Sequence, residues 1–404
     1  MGHISTTEST LLKLLSRSLF QNEVMFEEGV DWNAVLQEAL QQAVPAIAFA
    51  DFQEPVSIEL EQKIRNAAYS TISNNTKIEK DHCNLHKLLS QNSIPYVILK
   101  GGASASYYPE PAYRSMGDVD FLVSPNDLEK AEQVLRAEGF EPWEENHICH
   151  IVFRKNDIHL EMHFEPAGVP EGDAGDLVRQ YFEDAFEKPV SHDIGIGQML
   201  IPSAFHHGLV LLLHTCHHLT GEGVGLRHLC DWAVFVNSLS NDDFIVLFED
   251  KLKAIGLWRF AQLLTQVCIR YLNMPKKQWA MEEVDDTLFE GMICDIFKGG
   301  NFGRKEDTRS QEVLIISSRG KNGVGKTSML TQFIKSINEI VYTKWPLSKK
   351  WKIILPFGWL FYGGRYLIRV LLGKRKKINI GSTIKNASER RNLYQQFHLY
   401  EIEK

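Results

Sequence analysis

The run LKGGASASYYPEPAYRSMGDVDFLV places a glycine pair, Gly101 and Gly102, ahead of two aspartates two residues apart, Asp118 and Asp120. A third carboxylate, Glu161, follows in IHLEMHF. Carboxylates that converge can hold a pair of Mg²⁺ (or Mn²⁺) ions, hard cations that prefer oxygen ligands. Glycines beside them let backbone N–H groups approach phosphate oxygens. Together these parts suit a nucleoside triphosphate and its metals. One metal would activate an acceptor oxygen and the other would steady the triphosphate and the departing pyrophosphate. Lys100, Ser104 and Arg114 join the glycines as candidate nucleotide contacts. His163 shares a strand face with Glu161 and His159, as a substrate contact or as a structural hydrogen-bonding group.

For that chemistry the acids must sit on strands. The run IPYVIL (94–99) suits a short buried strand, and Asp118–Val123 a second. Alternation along the second puts Asp118 and Asp120 on one face and Val119, Phe121 and Val123 in the core. Ser124, Pro125 and Asp127 form a helix-start pattern, with Ser124 as the cap and Gly139 as the stop. Residues 147–164 predict a hairpin turning near Asn156-Asp157. Either acid pair or glycine pair alone is more often a turn or a solvated face. The ordered combination is what carries the metal-site expectation.

The remainder is mostly helical. Leu11, Leu12, Leu14, Leu15 and Leu19 recur at helical spacing, as do Trp32, Val35, Leu36 and Leu40 behind Asp31. Strong helices are expected from Ala204 to about Tyr271. The order is a helical region (1–90), a transferase core (91–198), a helical region (199–300) and a basic tail (301–404). It predicts an α+β fold: a small mixed sheet within N- and C-terminal helical additions.

A hydrophobic fraction of 44% and a charged fraction of 24% are ordinary for a soluble globular chain, and a net charge of −7 argues against a general nucleic-acid binder. Six cysteines without a C-x-x-C pair suit reduced thiols, and neither a secretory leader nor a membrane span is evident. The expected location is the cytoplasm.

The first run resembles the nucleotidyltransferase superfamily that includes DNA polymerase beta, with its glycine pair, acid-x-acid and third acid on a strand. More closely, it is similar to the bacterial "nucleotidyltransferase family protein" group. LEMHF, LLLHTCHH, GLRHLCDWA, GGNFGRK and LPFGWLFYGGRYLIR extend that likeness over nearly the whole chain. The resemblance implies a mixed-sheet transferase fold, with Asp118, Asp120 and Glu161 as metal ligands and Gly101-Gly102 as the phosphate loop. It implies transfer of a nucleoside monophosphate, from ATP or another triphosphate, to an unidentified acceptor. Asp118 lies sixteen positions after Gly102, which predicts an extended intervening helix.

Competing signals remain. Residues 320–327, GKNGVGKT, match a phosphate-binding P-loop after the strand-like VLIIS. No acid ending a later buried strand completes it, so a glycine-rich linker is the preferred reading and a P-loop NTPase the rival. A third option keeps the fold as a non-catalytic nucleotide-binding protein. His214 and His218, four apart, have zinc-like spacing but no evident third ligand. Arg227 and Asp231 suit a helix pair, with a role for Arg227 near phosphate as the alternative. Finally, residues 344–377 carry ten Lys and Arg and no acid around IILPFGWLFYGG. Packing of the aromatic face on the core is preferred there, with a peripheral anionic membrane contact as the alternative.

Overall fold

A computed structural model of the chain describes residues 3–144, 147–281, 285–306, 309, 312, 316, 328–372 and 380–402. The P-loop match at 320–327 lies outside them.

The chain starts with helices whose caps are written into the sequence. Ser5 and Glu8 cap α1 (Thr6–Phe20) reciprocally, Asp31 caps α2 (Trp32–Gln41), and α3 (Pro45–Ala48) opens on a proline. The 34-residue α4 (Ile58–Gln91), capped by Ser57, runs about 50 Å and backs the sheet.

The sheet has the order β1-β2-β5-β4-β3. Its strands are β1 (Tyr96–Ile98), β2 (Val119–Val123), β3 (Glu141–Glu144), β4 (His150–Lys155) and β5 (Ile158–His163). Between them lie the short α5 (Gly102–Ala105) and α6 (Leu128–Ala137). β2 and β5 run parallel, and the other neighbours are antiparallel. β4 and β5 form the expected hairpin, with Asn156 at positive φ in its turn.

β2 is buried along its whole length, and its two faces serve different cores. Val119, Phe121 and Val123 pack with Ile98, Leu160 and Met162 against Leu85 and Leu89 of α4 and Leu135 of α6. Leu122, with Val97 and Leu99, joins the large helical core. Asp120, two residues before Leu122 and so on the same face, therefore points towards the helices.

That helical core is formed by α1 and α2 with α8 (Ala204–Thr220), α9 (Leu226–Asn237), α10 (Asn241–Ala254), α11 (Trp258–Leu272) and α12 (Asp286–Gly299). Before them come α7 (Asp173–Tyr181) and the hairpin β6 (Val190–Asp193)–β7 (Gln198–Ile201), which packs on α4 and β1. The architecture is the mixed α+β arrangement expected.

Three local expectations differ. The helix after β2 starts at Leu128, because Ser124 turns the chain through Asn126 and Asp127 instead of capping it. The Gly102–Asp118 stretch holds no extended helix, only α5 and a 3₁₀ turn at Pro111–Tyr113. The tail aromatics are also not packed on the core. Helices Met329–Lys344 and Leu355–Leu371 pair tightly: a Cβ added at Gly358 would meet Val341 at 2.5 Å, and Trp359 Nε1 donates to Asn338 Oδ1 at 3.0 Å. Their outer side keeps Phe357, Leu360, Phe361, Ile368 and Leu371 in water. The helix Ile380–Gln395 returns to the core through Ala387 and Tyr394, as do Ile316 before it and Phe397 and Leu399 after it. No described helix is long and apolar enough to cross a membrane.

Candidate active site

The parallel register sets Asp120 directly beside Glu161. Asp118 sits at the bend leading into β2, two residues before Asp120. All three acids line one cavity of about 780 Å³, shared with Lys100, Gly101, Ser104, Arg114 and His163. Of the residues named from the sequence, Gly102 alone stays behind the wall, where a Cβ would meet Met199 at 2.9 Å and His82 at 3.0 Å. Gly101 needs its glycine for another reason: its φ is +57°. α5 has only four residues, so any phosphate contact here rests on individual N–H groups more than on a helix dipole.

Asp120 is compensated. Lys100 Nζ donates to its Oδ1 at 2.7 Å, and His163 Nε2 lies 3.1 Å from the same oxygen and 3.5 Å from Glu161 Oε2. Burial opposes its charge, yet Lys100 and His163 hold its carboxyl far below the usual range. His163 is buried too, and its hydrogen bonds to Asp120, Cys149 and Glu161 overcome that burial, lifting its pKa to about 10. Both carboxylates favour its charged form. Asp118 is the uncompensated member. Burial, then the charges of Asp120 and Glu161, push it up to about 7.

The three acids offer only oxygen, the donor type a hard divalent cation takes. Three carboxylates crowd one end of the sheet, and a doubly charged ion among them would remove the repulsion Asp118 feels. Asp118, Asp120 and Glu161 are the residues that would hold it.

Other placements were not legible beforehand. Arg114 faces the cavity, but its Nε and Nη2 are taken by Asp231 at 3.0 and 2.6 Å, and Tyr108 Oη donates to the same acid at 2.7 Å. Asp231 thus pairs with Arg114 and not with Arg227, its neighbour one helical turn away. Ser104 is buried, its Oγ without a partner among the described residues. His228 joins His214 and His218, the third histidine that the sequence reading lacked. The spacing GLRHLCDWA one helix later was its only signal.

An acid-x-acid at the entry to a strand, a third acid in register on the parallel neighbour and a glycine turn beside them form a nucleotidyltransferase-type arrangement. Residues 28–273 match the family described as uncharacterised nucleotidyltransferase, and the chain belongs to that family. No curated protein matches it. The matched span includes the whole sheet and helices α2 to α11, and membership makes nucleotidyl transfer the general activity class.

Proposed function

We propose that the protein transfers a nucleoside monophosphate from a nucleoside triphosphate to an acceptor hydroxyl or similar group, with Mg²⁺ or Mn²⁺. An acceptor oxygen forms a bond to the α-phosphorus, the bond to the β-phosphate breaks, and pyrophosphate leaves. The observation that carries this is the register pair Asp120–Glu161, with Asp118 two residues upstream and Gly101 lining the same cavity. The cation would stabilise charge on the transferring phosphoryl group and the leaving oxygen. Lys100 and His163 fix the Asp120 carboxylate, and Gly101 offers its N–H to phosphate. Glu161, about a quarter exposed, is the acid best placed to take the acceptor's proton.

Calorimetric titration with a non-hydrolysable ATP analogue tests the reading. Wild type should bind only with Mg²⁺ or Mn²⁺, and the Asp118→Asn/Asp120→Asn double variant should not bind. Unchanged binding in that variant, with loss in Lys326→Ala, would move the nucleotide to the 320–327 motif. Metal-dependent binding without any turnover would favour the non-catalytic alternative.

A peripheral membrane contact through residues 344–377 completes the proposal. In the helix Leu355–Leu371, Phe357, Phe361, Gly364, Ile368 and Leu371 follow each other at three- and four-residue steps. Phe357, Phe361, Ile368 and Leu371 of this stripe are exposed, Gly364 is half-buried, and Arg365 and Arg369 flank it. No Asp or Glu occurs from 340 to 388. A basic, apolar face of this kind repels a second copy of itself and complements an anionic bilayer. Sedimentation with phosphatidylglycerol–phosphatidylcholine vesicles should pull the protein down, less so at high salt or with Phe357→Ser/Phe361→Ser. Equal recovery with and without vesicles would end this part of the proposal.

A further inference from the structure

Three histidines meet on the helical wall of the cavity: His214 and His218 on α8, and His228 in the first turn of α9. Their ligand atoms lie within 4.8 Å of one another, the proximity expected of a transition-metal site. The surrounding hydrogen bonds point elsewhere. Lys100 Nζ has only protons to give and lies 3.4 Å from His214 Nε2, so that nitrogen accepts. His218 Nε2, 2.9 Å from it, donates to the same lone pair. His228 Nδ1 accepts from the backbone N–H of Gly225 at 3.4 Å, which places the His228 proton on Nε2. The lone pairs that a metal would need are in use.

What is left over is a donor. His228 is 5% exposed, and its Nε2 has no partner among the described residues although the ring lines the cavity. Arg227, the preceding residue, lines the same cavity. Its Nη1 reaches Ser115 O at 3.1 Å, and its guanidinium lies 5.3 Å from the Phe302 ring centroid. No described carboxylate lies within ion-pair distance of it, because Asp231 is committed to Arg114 and Tyr108. Burial, followed by repulsion from Arg114, lowers its pKa to about 10, so it keeps its charge at neutral pH. A guanidinium without a counter-charge, next to an unpartnered imidazole N–H, makes a corner that only an anion completes. A planar fork with a second donor beside it suits phosphate oxygens.

Resting on the nucleotidyl-transfer reading, we propose that Arg227 and His228 receive the β,γ-phosphate end of the substrate triphosphate and hold the pyrophosphate as it leaves. Lys100 connects this corner to the carboxylates, since it contacts both Asp120 and His214. The triphosphate would thus run from the sheet end to the start of α9.

Calorimetric titration of the full chain with pyrophosphate, with and without Mg²⁺, tests the assignment. Arg227→Met should weaken binding at least about tenfold, the usual consequence of losing a charge-assisted hydrogen bond. His228→Phe should weaken it severalfold. Arg227→Lys and His228→Gln, which keep a donor, should recover most of the affinity, and melting curves identify any variant that fails to fold. Pyrophosphate should also compete with the ATP analogue. Wild type that does not bind pyrophosphate, or unchanged affinity in Arg227→Met and His228→Phe, overturns the proposal. Pyrophosphate that binds alongside the analogue also overturns it, by assigning the corner to a phosphate on the acceptor. So does Zn²⁺ binding that His228→Gln abolishes. If Asp118→Asn/Asp120→Asn keeps metal-dependent binding of the analogue, the carboxylate reading fails while this corner stands.

Discussion

Around Asp295 the chain buries acids and bases that answer one another. Arg309 Nη2 reaches Asp295 Oδ1 at 2.8 Å, Tyr394 Oη reaches Oδ2 at 2.6 Å, and Arg390 pairs with Glu312 at 2.9 Å. Asp295 is held ionised there: burial opposes its charge, but Arg309 and Arg390 lower its pKa. At the end of the sheet, Asp118, Asp120 and Glu161 share Lys100 and His163, whose contacts converge on Asp120. Each region buries charge, but only the first is closed. The closed network ties the C-terminal helix to α12, and although Arg309 borders the same cavity, its guanidinium is already paired with Asp295 and Glu306. The open one keeps negative charge that a bound cation would balance, which is how a site differs from a brace.

The comparison can be broken at either end. The largest effect should come from Asp120→Asn, which removes the central carboxylate. Transfer of label from an α-labelled triphosphate should fall by about 10³-fold, worth about 4 kcal/mol of transition-state stabilisation. Thermal stability should fall as well, because Lys100 and His163 lose the carboxylate they share, so turnover is compared per folded molecule. Turnover at the wild-type rate would remove Asp120 from the chemistry. Asp295→Ala should do the reverse, costing about 3 kcal/mol in chemical denaturation because Arg309 and Arg390 each lose one of their two carboxylates and Tyr394 its acceptor. Metal-dependent nucleotide binding should persist in whatever fraction stays folded.

Acid sharpens the contrast further. His207 is buried between Tyr107 and Phe235, and burial pushes its pKa down to about 4. A depressed folded-state pKa means full stability above the unfolded value near 6.5 and a loss as pH falls towards 4. That loss amounts to about 3 kcal/mol for this one group. His207→Phe should flatten the stability profile between pH 6.5 and 4 in urea titrations; an unaltered profile would mean that other buried histidines dominate it.

How much of this could be read from the chain depends on the range of the contact. Asp120 beside Glu161 was legible because strand alternation and an apolar frame fix which way each side chain points. The β4–β5 hairpin was legible because its turn is local. Arg114 with Asp231 was not: the partners are 117 residues apart, and the nearer Arg227 looked equally suitable. His228 was missed as a companion of His214 because it belongs to a different helix. The tail was misjudged for a related reason, since periodicity shows that a helix has an apolar face but not whether anything covers it. Leu355–Leu371 is covered on one side only, by Met329–Lys344 at Gly358.

The strand order has a consequence for the growing chain. β5 is the last of the five strands to be made, and it lies between β2 and β4. Until it arrives, the β1–β2 and β3–β4 pairs share no edge. The strand that joins the two halves also carries Glu161 and His163, so the sheet is completed and the third acid delivered in a single event. An emerging polypeptide therefore passes through no stage in which the five strands are joined but the acids are incomplete. Closure of the sheet would thus set when a cation could first be captured.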